Sequence, residues 1–273
     1  MASTQPKKRI GIMAPGRVLP QAVQAQVMDV AQRGGFLERL DLVFHDQCAL
    51  EHGHFAGPDA ARAQAFLDFA NDPSMDAIWF ARGGYGSNRI LDLVIPNLAE
   101  SANTKIWFGY SDAGYLLGAL HGLGIGRSVH GPMPADILRE GGETAIRRAL
   151  AWLASPHVDA GPPRAAFNLT TLSHLASTAW MPDLRSHELW IEEVGEHFYA
   201  IDRALFSVLT SANVGGISGM RLGRCSDIPE NDIDFKLSEV EIASHWCTRI
   251  GAAYLGRCDI GHDSANAVVP FRR

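Results

Sequence analysis

A serine on an abrupt turn is the first feature of the sequence that could do covalent chemistry. Ser111 lies in GYSDA, residues 109–113, between the apolar run TKIWF and the helical pattern GYLLGALHGLG. Such a strand-to-helix turn can hold a hydroxyl clear of the backbone, as the nucleophile elbow of hydrolases does, although Ala113 stands where that motif has glycine. The amide of Asp112 would then point toward the oxygen of an attacked carbonyl. Serine before a helix more often caps it, so both interpretations stay open.

A glycine-rich loop also follows an apolar run. The loop ARGGYG, residues 81–86, connects the run DAIWFA to the helical pattern SNRILDLVI and contains Arg82, Gly83 and Gly84. Glycine allows backbone N–H groups to turn outward beside the start of a helix, which favours developing negative charge. The loop matches neither the dinucleotide-binding nor the phosphate-binding glycine motif, so a nucleotide site is weakly supported. A tight turn without any ligand is the alternative.

A nucleophilic serine needs a general base, usually a histidine that an acid orients. The chain has 11 histidines, too many for spacing alone to select one. His52 and His54 lie in a polar stretch and are expected at the surface, whereas His121 lies in a helical pattern and is expected to pack. His130 and His262 each follow a strand-like run. These two histidines are therefore the candidates for a base near a ligand crevice.

The candidate acid lies in the segment LWIEEVGE. On an extended strand Glu192 faces away from Leu189 and Ile191, because successive side chains alternate between the two faces. Three further acids lie nearby, at Glu188, Glu193 and Glu196. The segment could therefore supply a catalytic carboxylate or form only a solvated acidic turn.

The elements that must position these residues follow a clear alternation. Four apolar runs predict buried strands: RIGIMAP, RLDLVFH, DAIWFA and TKIWFGY. Amphipathic segments such as PQAVQAQVMDVAQRGG and GPDAARAQAFLDFAND alternate with them and predict helices. This pattern is typical of an α/β fold with a parallel sheet covered on both faces. Such sheets bind ligands at the carboxyl ends of their strands, where the serine turn and the glycine-rich loop both lie.

Charge and composition divide the chain into two. Residues 1–153 carry a net charge of −1 and residues 154–273 a net charge of −5. The change coincides with SPHVDAGPPRAAF, residues 155–167, which is rich in proline and glycine and has no apolar periodicity. We therefore predict a first domain over residues 1–154, then this linker, and a second domain over residues 168–273.

The composition excludes several functional classes. The 273 residues carry a net charge of −6 and are 47% hydrophobic, which excludes a disordered chain and argues against a nucleic-acid partner. No run approaches the roughly 20 apolar residues of a membrane helix. The apolar run near the N-terminus is too short for a secretory signal, so a cytoplasmic location is expected. The four cysteines form no CxxC pair, so neither a zinc site nor a disulfide framework is predicted.

Six segments together resemble the LD-carboxypeptidase family. They are, in chain order, ARGGYGSNRILDLV, FGYSDAGYLLGAL, HGPM, NLTTLSHLAST, LWIEEVGEHFYAIDR and DIGHDSANAVVP. This family is the muramoyltetrapeptide carboxypeptidase group of serine peptidases, and it also contains the microcin C immunity peptidases. The resemblance extends from about residue 11 to residue 270, nearly the whole chain. It implies a Rossmann-like N-terminal domain with a parallel sheet and a smaller β-rich C-terminal domain.

The resemblance also implies a catalytic triad. The family's nucleophile corresponds to Ser111, its acid to Glu192 and its base to His262. Asp263 follows this histidine where many relatives have glycine, which places an extra charge beside the base. The family needs no metal and no organic cofactor. The remaining implied residues are the oxyanion-hole amides, from Asp112 and from Gly83 or Gly84.

The implied substrate is a murein tetrapeptide, from which the enzyme releases terminal D-alanine during cytoplasmic peptidoglycan recycling. Members of the family are commonly homodimers. A carboxypeptidase must hold a free terminal carboxylate, which would be costly to bury without a partner. Arg82 and Arg203 are the candidates for this contact, although either could form only a structural ion pair.

Two alternatives stay open at this point. One is the microcin-immunity activity, hydrolysis of an acyl-nucleotide conjugate, which would need an aromatic platform for the base. Trp180 and Trp246 have no evident inserted loop around them, so we favour the murein substrate. The other is a non-catalytic protein that binds muropeptides. The presence of all three triad residues argues against it.

Overall fold

The computed structural model describes residues 6–273, and its first sheet contains six strands. These are β1 Lys8–Met13, β2 Leu40–Phe44, β3 Ala77–Phe80, β4 Ile106–Gly109, β5 Arg127–His130 and β10 Val269–Pro270. Their order is β10-β5-β4-β3-β1-β2, and all are parallel except β10. In the central β3, Ile78, Trp79 and Phe80 are fully buried. The apolar runs thus form the doubly covered strands that the sequence predicts.

Helices cover both faces of this sheet. They are α1 Gln21–Arg33, α2 Asp59–Ala70, α3 Leu91–Val94, α4 Gly114–Leu123 and α5 Gly142–Ala154. Helices α1 and α5 pack on one face, and α2 and α4 on the other. The segment SNRILDLVI forms only a 3₁₀ turn followed by the single turn of α3, not a regular helix. Pro96 follows this turn closely and lacks the N–H that a longer helix would require.

The second sheet is also parallel, with strand order β6-β7-β8-β9. Its strands are β6 Arg164–Asn168, β7 Glu188–Val194, β8 Gly219–Ser226 and β9 Ala253–Arg257. Three helices accompany it: α6 Leu169–Leu175, α7 Phe198–Leu209 and α8 Glu239–Ile250. The predicted α/β fold with a second, smaller sheet is confirmed. The C-terminal unit is itself a layered α/β arrangement, because helices accompany its strands.

The boundary between the two units differs in detail from the predicted linker. Helix α5 ends at Ala154, but residues 164–167 already belong to β6. The chain also returns to the first sheet at its C-terminal end, where Val269 of β10 pairs with His130 of β5. The second unit is therefore joined to the first by a shared sheet as well as by the connection after α5.

The structure bears on membrane association only through its helices. Within residues 6–273, no helix is both long enough and apolar enough to cross a bilayer. The interpretation of the N-terminal segment as lacking a secretory signal rests partly on residues 1–5, which lie outside the described residues.

A buried histidine pair links the two units and predicts acid sensitivity. The Nε2 atoms of His121 on α4 and His187 before β7 lie 3.2 Å apart. Burial, with the charges of His187 and Arg273, lowers the pKa of His121 to about 3. A histidine with a lowered pKa in the folded state binds its proton more readily when unfolded, so folding stability falls as pH drops below about 6.5. We expect a loss of about 2 kcal/mol between pH 7.5 and pH 5 from this group.

Urea unfolding over this pH range would measure the effect. His121→Gln should flatten the acid slope, whereas His52→Gln, at an exposed position, should leave it unchanged. An unchanged slope in His121→Gln would show that other groups govern acid stability.

Candidate active site

Ser111 occupies a strained position two residues beyond the end of β4. Its φ is +58°, a left-handed conformation that residues other than glycine rarely adopt. The hydroxyl Oγ lies 3.0 Å from His262 Nε2, while the residue before α4 is Ala113. The side chain therefore contacts an imidazole instead of capping the helix, and the backbone strain is of the kind found at a nucleophile elbow.

Glu192 lies on the other side of the same imidazole. Its Oε2 is 2.6 Å from His262 Nδ1, and the glutamate is fully buried on β7. The interpretation of this segment as a solvated acidic turn is wrong, because Glu193 is 98% buried as well, at 2% exposure. Glu193 faces away from the imidazole and accepts hydrogen bonds from Asn168, Thr170 and the Val194 amide.

The environment of His262 favours its protonated form. Burial alone would lower the pKa of this imidazole, but the charge and hydrogen bond of Glu192 outweigh burial and raise it. A raised pKa means that the imidazolium formed by accepting a serine proton is stabilised. The adjacent Asp263 is engaged by Arg224, which partly neutralises its charge. The arrangement can therefore perform general base catalysis on the serine hydroxyl.

The glycine-rich loop is fixed against the serine turn by a buried carboxylate. Asp112 accepts hydrogen bonds from the amides of Gly86 at 3.1 Å and Ser87 at 3.0 Å. Burial raises the pKa of this carboxyl group, although these hydrogen bonds oppose the shift. A Cβ built on Gly83 would lie 3.0 Å from Ser111 Oγ. The backbone at Gly83 is thus adjacent to the hydroxyl, where an oxyanion-hole amide would have to lie, and Gly84 follows with φ +107°.

This close approach predicts a specific effect of a methyl group at position 83. Gly83→Ala would force the Ser111 side chain or the loop to move, and such displacements cost about 10²-fold in turnover. We expect that loss in kcat with little change in melting temperature, measured by peptide hydrolysis and thermal unfolding. Gly215→Ala is the matched control, since its Cβ would meet only the Ser211 carbonyl, at 3.6 Å. Equal activity of the two variants would contradict the proposed proximity.

Two clefts meet at Ser111. One, of about 390 Å³, is lined by His262 and by the arginines Arg17, Arg82 and Arg139. The other, of about 450 Å³, is lined by polar, aromatic and acidic side chains, among them Tyr85, Tyr115, Thr170, Glu193 and Glu196. The serine is accessible from both sides, and the two sides differ in charge.

The arginine-lined cleft has a net positive charge because, in the part of the chain that the structure describes, only one of its three arginines is paired with a carboxylate. Arg82 donates a hydrogen bond to the Val18 carbonyl at 3.3 Å, and burial together with Arg17 and Arg139 lowers its pKa. Within residues 6–273, neither Arg17 nor Arg82 forms an ion pair, whereas Arg139 pairs with Asp136 at 2.9 Å. Sequence reasoning found Arg82 but missed Arg17 and Arg139, which belong to loops that no motif marks.

Arg203 does not reach this site. It is exposed on α7, where its guanidinium lies 5.7 Å from the ring centre of Tyr199, and it lines neither cleft. The expectation placed it near the substrate because it follows Glu192 in the sequence. The helix begins only after a turn at Gly195 and presents this residue to solvent instead.

The other histidines occupy varied environments. His52 and His54 are exposed, and His121 is buried, as expected. His130 is fully buried and contacts Asn266 rather than Ser111. The structure therefore brings one histidine, His262, to the serine. No motif of the sequence had singled out Asn266.

Other features that could bind a ligand would be a metal site or a cavity away from Ser111. Among residues 6–273, no group of three His, Cys, Asp or Glu side chains is arranged to hold a metal ion. A larger cavity of about 600 Å³ lies away from Ser111, between α5 and the second sheet. The arginines that line this cavity form ion pairs with carboxylates, for example Arg221 with Glu188 at 2.7 Å.

Both units of the chain match models of known protein families. Residues 10–131 match the LD-carboxypeptidase N-terminal domain, and residues 166–273 match the LD-carboxypeptidase C-terminal domain. The chain belongs to the LD-carboxypeptidase family. Membership makes it a serine-type carboxypeptidase and hence a hydrolase.

Relatives of this LD-carboxypeptidase include proteins named for murein peptides. It is 24% identical to the murein tetrapeptide carboxypeptidase of Pseudomonas aeruginosa, over 96% of this chain and 91% of that protein. It superposes on the crystal structure of muramoyltetrapeptide carboxypeptidase from Oxalobacter formigenes with a TM-score of 0.81 and 25% identity, covering 96% and 92% of the two chains. The microcin C7 self-immunity protein shares the fold, with a TM-score of 0.80 at 18% identity over 97% and 91%.

Proposed function

We propose that this LD-carboxypeptidase releases the terminal D-alanine of murein tetrapeptide, with Ser111 as nucleophile, His262 as general base and Glu192 as the orienting acid. The observation that carries the proposal is the continuous set of contacts from Ser111 Oγ through the His262 imidazole to Glu192, which begins on a strained turn. The named murein relatives supply the substrate class.

The geometry supports a two-step acyl transfer. His262 Nε2 accepts the proton of Ser111 as Oγ attacks the carbonyl carbon, and Glu192 stabilises the resulting imidazolium. The amide of Asp112, with that of Gly83 or Gly84, binds the oxyanion. His262 then donates the proton to the amine of the departing D-alanine, and water attacks the acyl-enzyme through the same base. The C–N bond breaks in the first step and the ester bond in the second.

The position of His262 orients the substrate between the two clefts. The histidine must protonate the leaving amine, and it lines the arginine cleft only. The leaving D-alanine therefore occupies the arginine cleft, where its carboxylate meets Arg82 and its neighbours. The third residue of the stem peptide, which becomes the acyl group, occupies the other cleft. Within residues 6–273 the carboxylate of Glu196 in that cleft has no ion-pair partner, which suits the side-chain ammonium of a diamino acid.

The nucleotide-conjugate alternative receives less support. The indole N–H of Trp180 is hydrogen-bonded to Asp92 and that of Trp246 to Asp202, and neither tryptophan lines the clefts at Ser111. A role in cytoplasmic peptidoglycan recycling and a homodimeric state belong to the same proposal and rest on the family resemblance.

Incubation with murein tetrapeptide tests the proposal directly. Free D-alanine, detected by mass spectrometry, is the expected product, and Ser111→Ala is the inactive control. Hydrolysis of an acyl-sulfamoyl adenosine but not of the tetrapeptide would favour the nucleotide-conjugate alternative. Failure of an active-site acylating probe to label Ser111 would favour a non-catalytic binding protein.

Recognition of the terminal carboxylate predicts discrimination against an amidated substrate. A charge-assisted contact contributes about 1.5–3 kcal/mol, so amidation of the terminal D-alanine should lower kcat/KM by about 10–150-fold. Arg82→Gln should reduce this discrimination, whereas Arg203→Gln, remote from the clefts, should retain it. Equal hydrolysis of the free and amidated tetrapeptides by the wild-type enzyme would show that the carboxylate is not recognised.

A further inference from the structure

A second histidine lies behind the catalytic one and is not used by the mechanism. His130 is the last residue of β5, the strand that neighbours β4 and the serine turn. It is fully buried, and its Nε2 lies 2.9 Å from Oδ1 of Asn266, which is 1% exposed. This contact joins the first sheet to the loop that carries His262.

Asn266 connects His130 to the backbone of the catalytic loop. Its Oδ1 also accepts a hydrogen bond at 3.2 Å from the amide of Gly261, the residue before His262. The Asn266 side chain must keep Oδ1 toward the Gly261 N–H, because a flipped side chain would place its own NH₂ donor against that N–H donor. His130 Nε2 must therefore carry the proton and donate to Asn266.

The protonation state of His130 agrees with this assignment. Burial lowers its pKa, against the opposing effects of the nearby carboxylates of Glu192 and Asp136, and the charge of His262 lowers it further. The neutral tautomer with hydrogen on Nε2 is the form that donates one hydrogen bond and needs none of the charge compensation that a buried imidazolium would require.

Aromatic packing completes the link to His262. The Tyr110 ring packs near both imidazoles, with its centre 5.4 Å from that of His130 and 4.9 Å from that of His262. Its hydroxyl donates to Asp136 at 2.8 Å, so the ring is fixed as well. Residues of the first unit thus contact both the His262 ring, through Tyr110, and the side chain of Asn266 on its loop, through His130.

We propose that His130 is a positioning residue that acts through Asn266, setting the placement of the His262 imidazole against Ser111. The inference rests on the proposed function, because it takes Ser111 and His262 as nucleophile and base. Ser111 and His262 belong to different units. Arg148 of α5 donates to the Ser264 and Asn266 carbonyls and so holds the loop backbone. The hydrogen bond from His130 instead holds the Asn266 side chain, which accepts from the amide next to His262. A loop released from this contact would leave Nε2 at a longer or misaligned distance from Oγ.

The rate at which a fluorophosphonate labels Ser111 measures this placement without any peptide substrate. His130→Leu removes the donor and should slow labelling and kcat by about 10²-fold, with KM nearly unchanged. His130→Gln keeps an N–H donor near the position of Nε2 and should restore most of the rate. His121→Leu is the matched control, a buried histidine removed from a position that does not contact Asn266 or Tyr110, and it should label at the wild-type rate once folded.

Asn266→Ala supplies a second route if His130→Leu fails to fold. It should slow labelling to a similar extent, and the double variant of Asn266→Ala with His130→Gln should be no slower, since both residues act through one contact. Wild-type labelling by folded His130→Leu or Asn266→Ala would overturn the inference, as would equal loss in His130→Gln and His130→Leu. If the variants label as expected but the wild-type protein does not cleave the tetrapeptide, only the proposed substrate is rejected. If the wild-type protein is not labelled at Ser111, the proposed function and this inference are rejected together.

Discussion

Ser111→Ala is expected to lower kcat for tetrapeptide hydrolysis by about 10⁶-fold, the loss typical of removing the nucleophile of a serine triad. The hydroxyl contacts His262 and does not cap α4, so its removal should change the melting temperature little. A stopped assay for D-alanine release measures kcat, and a thermal melt of the same sample measures the melting temperature. A stability loss of about 1 kcal/mol with activity retained would instead identify Ser111 as a helix cap.

Ser111→Gly provides a control for the backbone. The φ of +58° costs alanine about 1 kcal/mol more than glycine, so the glycine variant should be the more stable of the two while being equally inactive. If the alanine variant were the more stable one, the left-handed conformation would not be a source of strain.

Glu192→Gln is expected to lower kcat by about 10⁴-fold, because the side-chain amide can hold the imidazole in the wrong tautomer and lacks the charge that stabilises its cation. In the proposed mechanism His262 must be neutral to accept the serine proton, so activity should rise with pH through the pKa of this imidazole. Burial lowers that pKa and Glu192 raises it above the ordinary value. Without the carboxylate, burial is the largest remaining influence on this pKa, so the acid limb of kcat/KM should move to lower pH while the plateau falls.

A pH profile of kcat/KM from pH 4.5 to 9 measures both changes. Glu193→Gln is the matched control, a neighbouring buried acid that contacts Asn168 and Thr170 instead of the imidazole. It should lose stability but keep the wild-type acid limb. An acid limb that stays in place in Glu192→Gln would show that another group controls the ionisation.

The fold was predictable where the local pattern alone determines structure. The apolar runs around Ile12, Trp79 and Phe108 have no polar face, so they could be stable only inside a covered parallel sheet. The length of the helix in SNRILDLVI was not predictable, because its apolar pattern does not indicate how few residues before Pro96 would be helical. The last residues of the predicted linker became β6 because Phe167 and its neighbours are buried by tertiary packing, which a rise in proline and glycine content cannot reveal.

The candidate site was predictable only in part. The spacing of residues left His130 and His262 both open as the base, and the family resemblance implied Ser111, Glu192 and His262, which the structure brings together. Arg203 was misplaced because proximity in sequence does not say which face of a helix meets solvent. Asn266 lies within the quoted segment DIGHDSANAVVP, but its contact with His130 on a distant strand leaves no local signal in the sequence.

The pairing of β10 with β5 has a consequence for synthesis on the ribosome. Residues 127–130 emerge early, but their antiparallel partner, Val269–Pro270, is translated only after the whole second sheet. His262 likewise follows all four strands of the second sheet in the chain. The nascent chain can therefore assemble the serine turn long before it contains His262, the proposed base. On the proposed function, translation order alone keeps the emerging polypeptide without peptidase activity until residues 262–270 have been made and β10 can pair with β5.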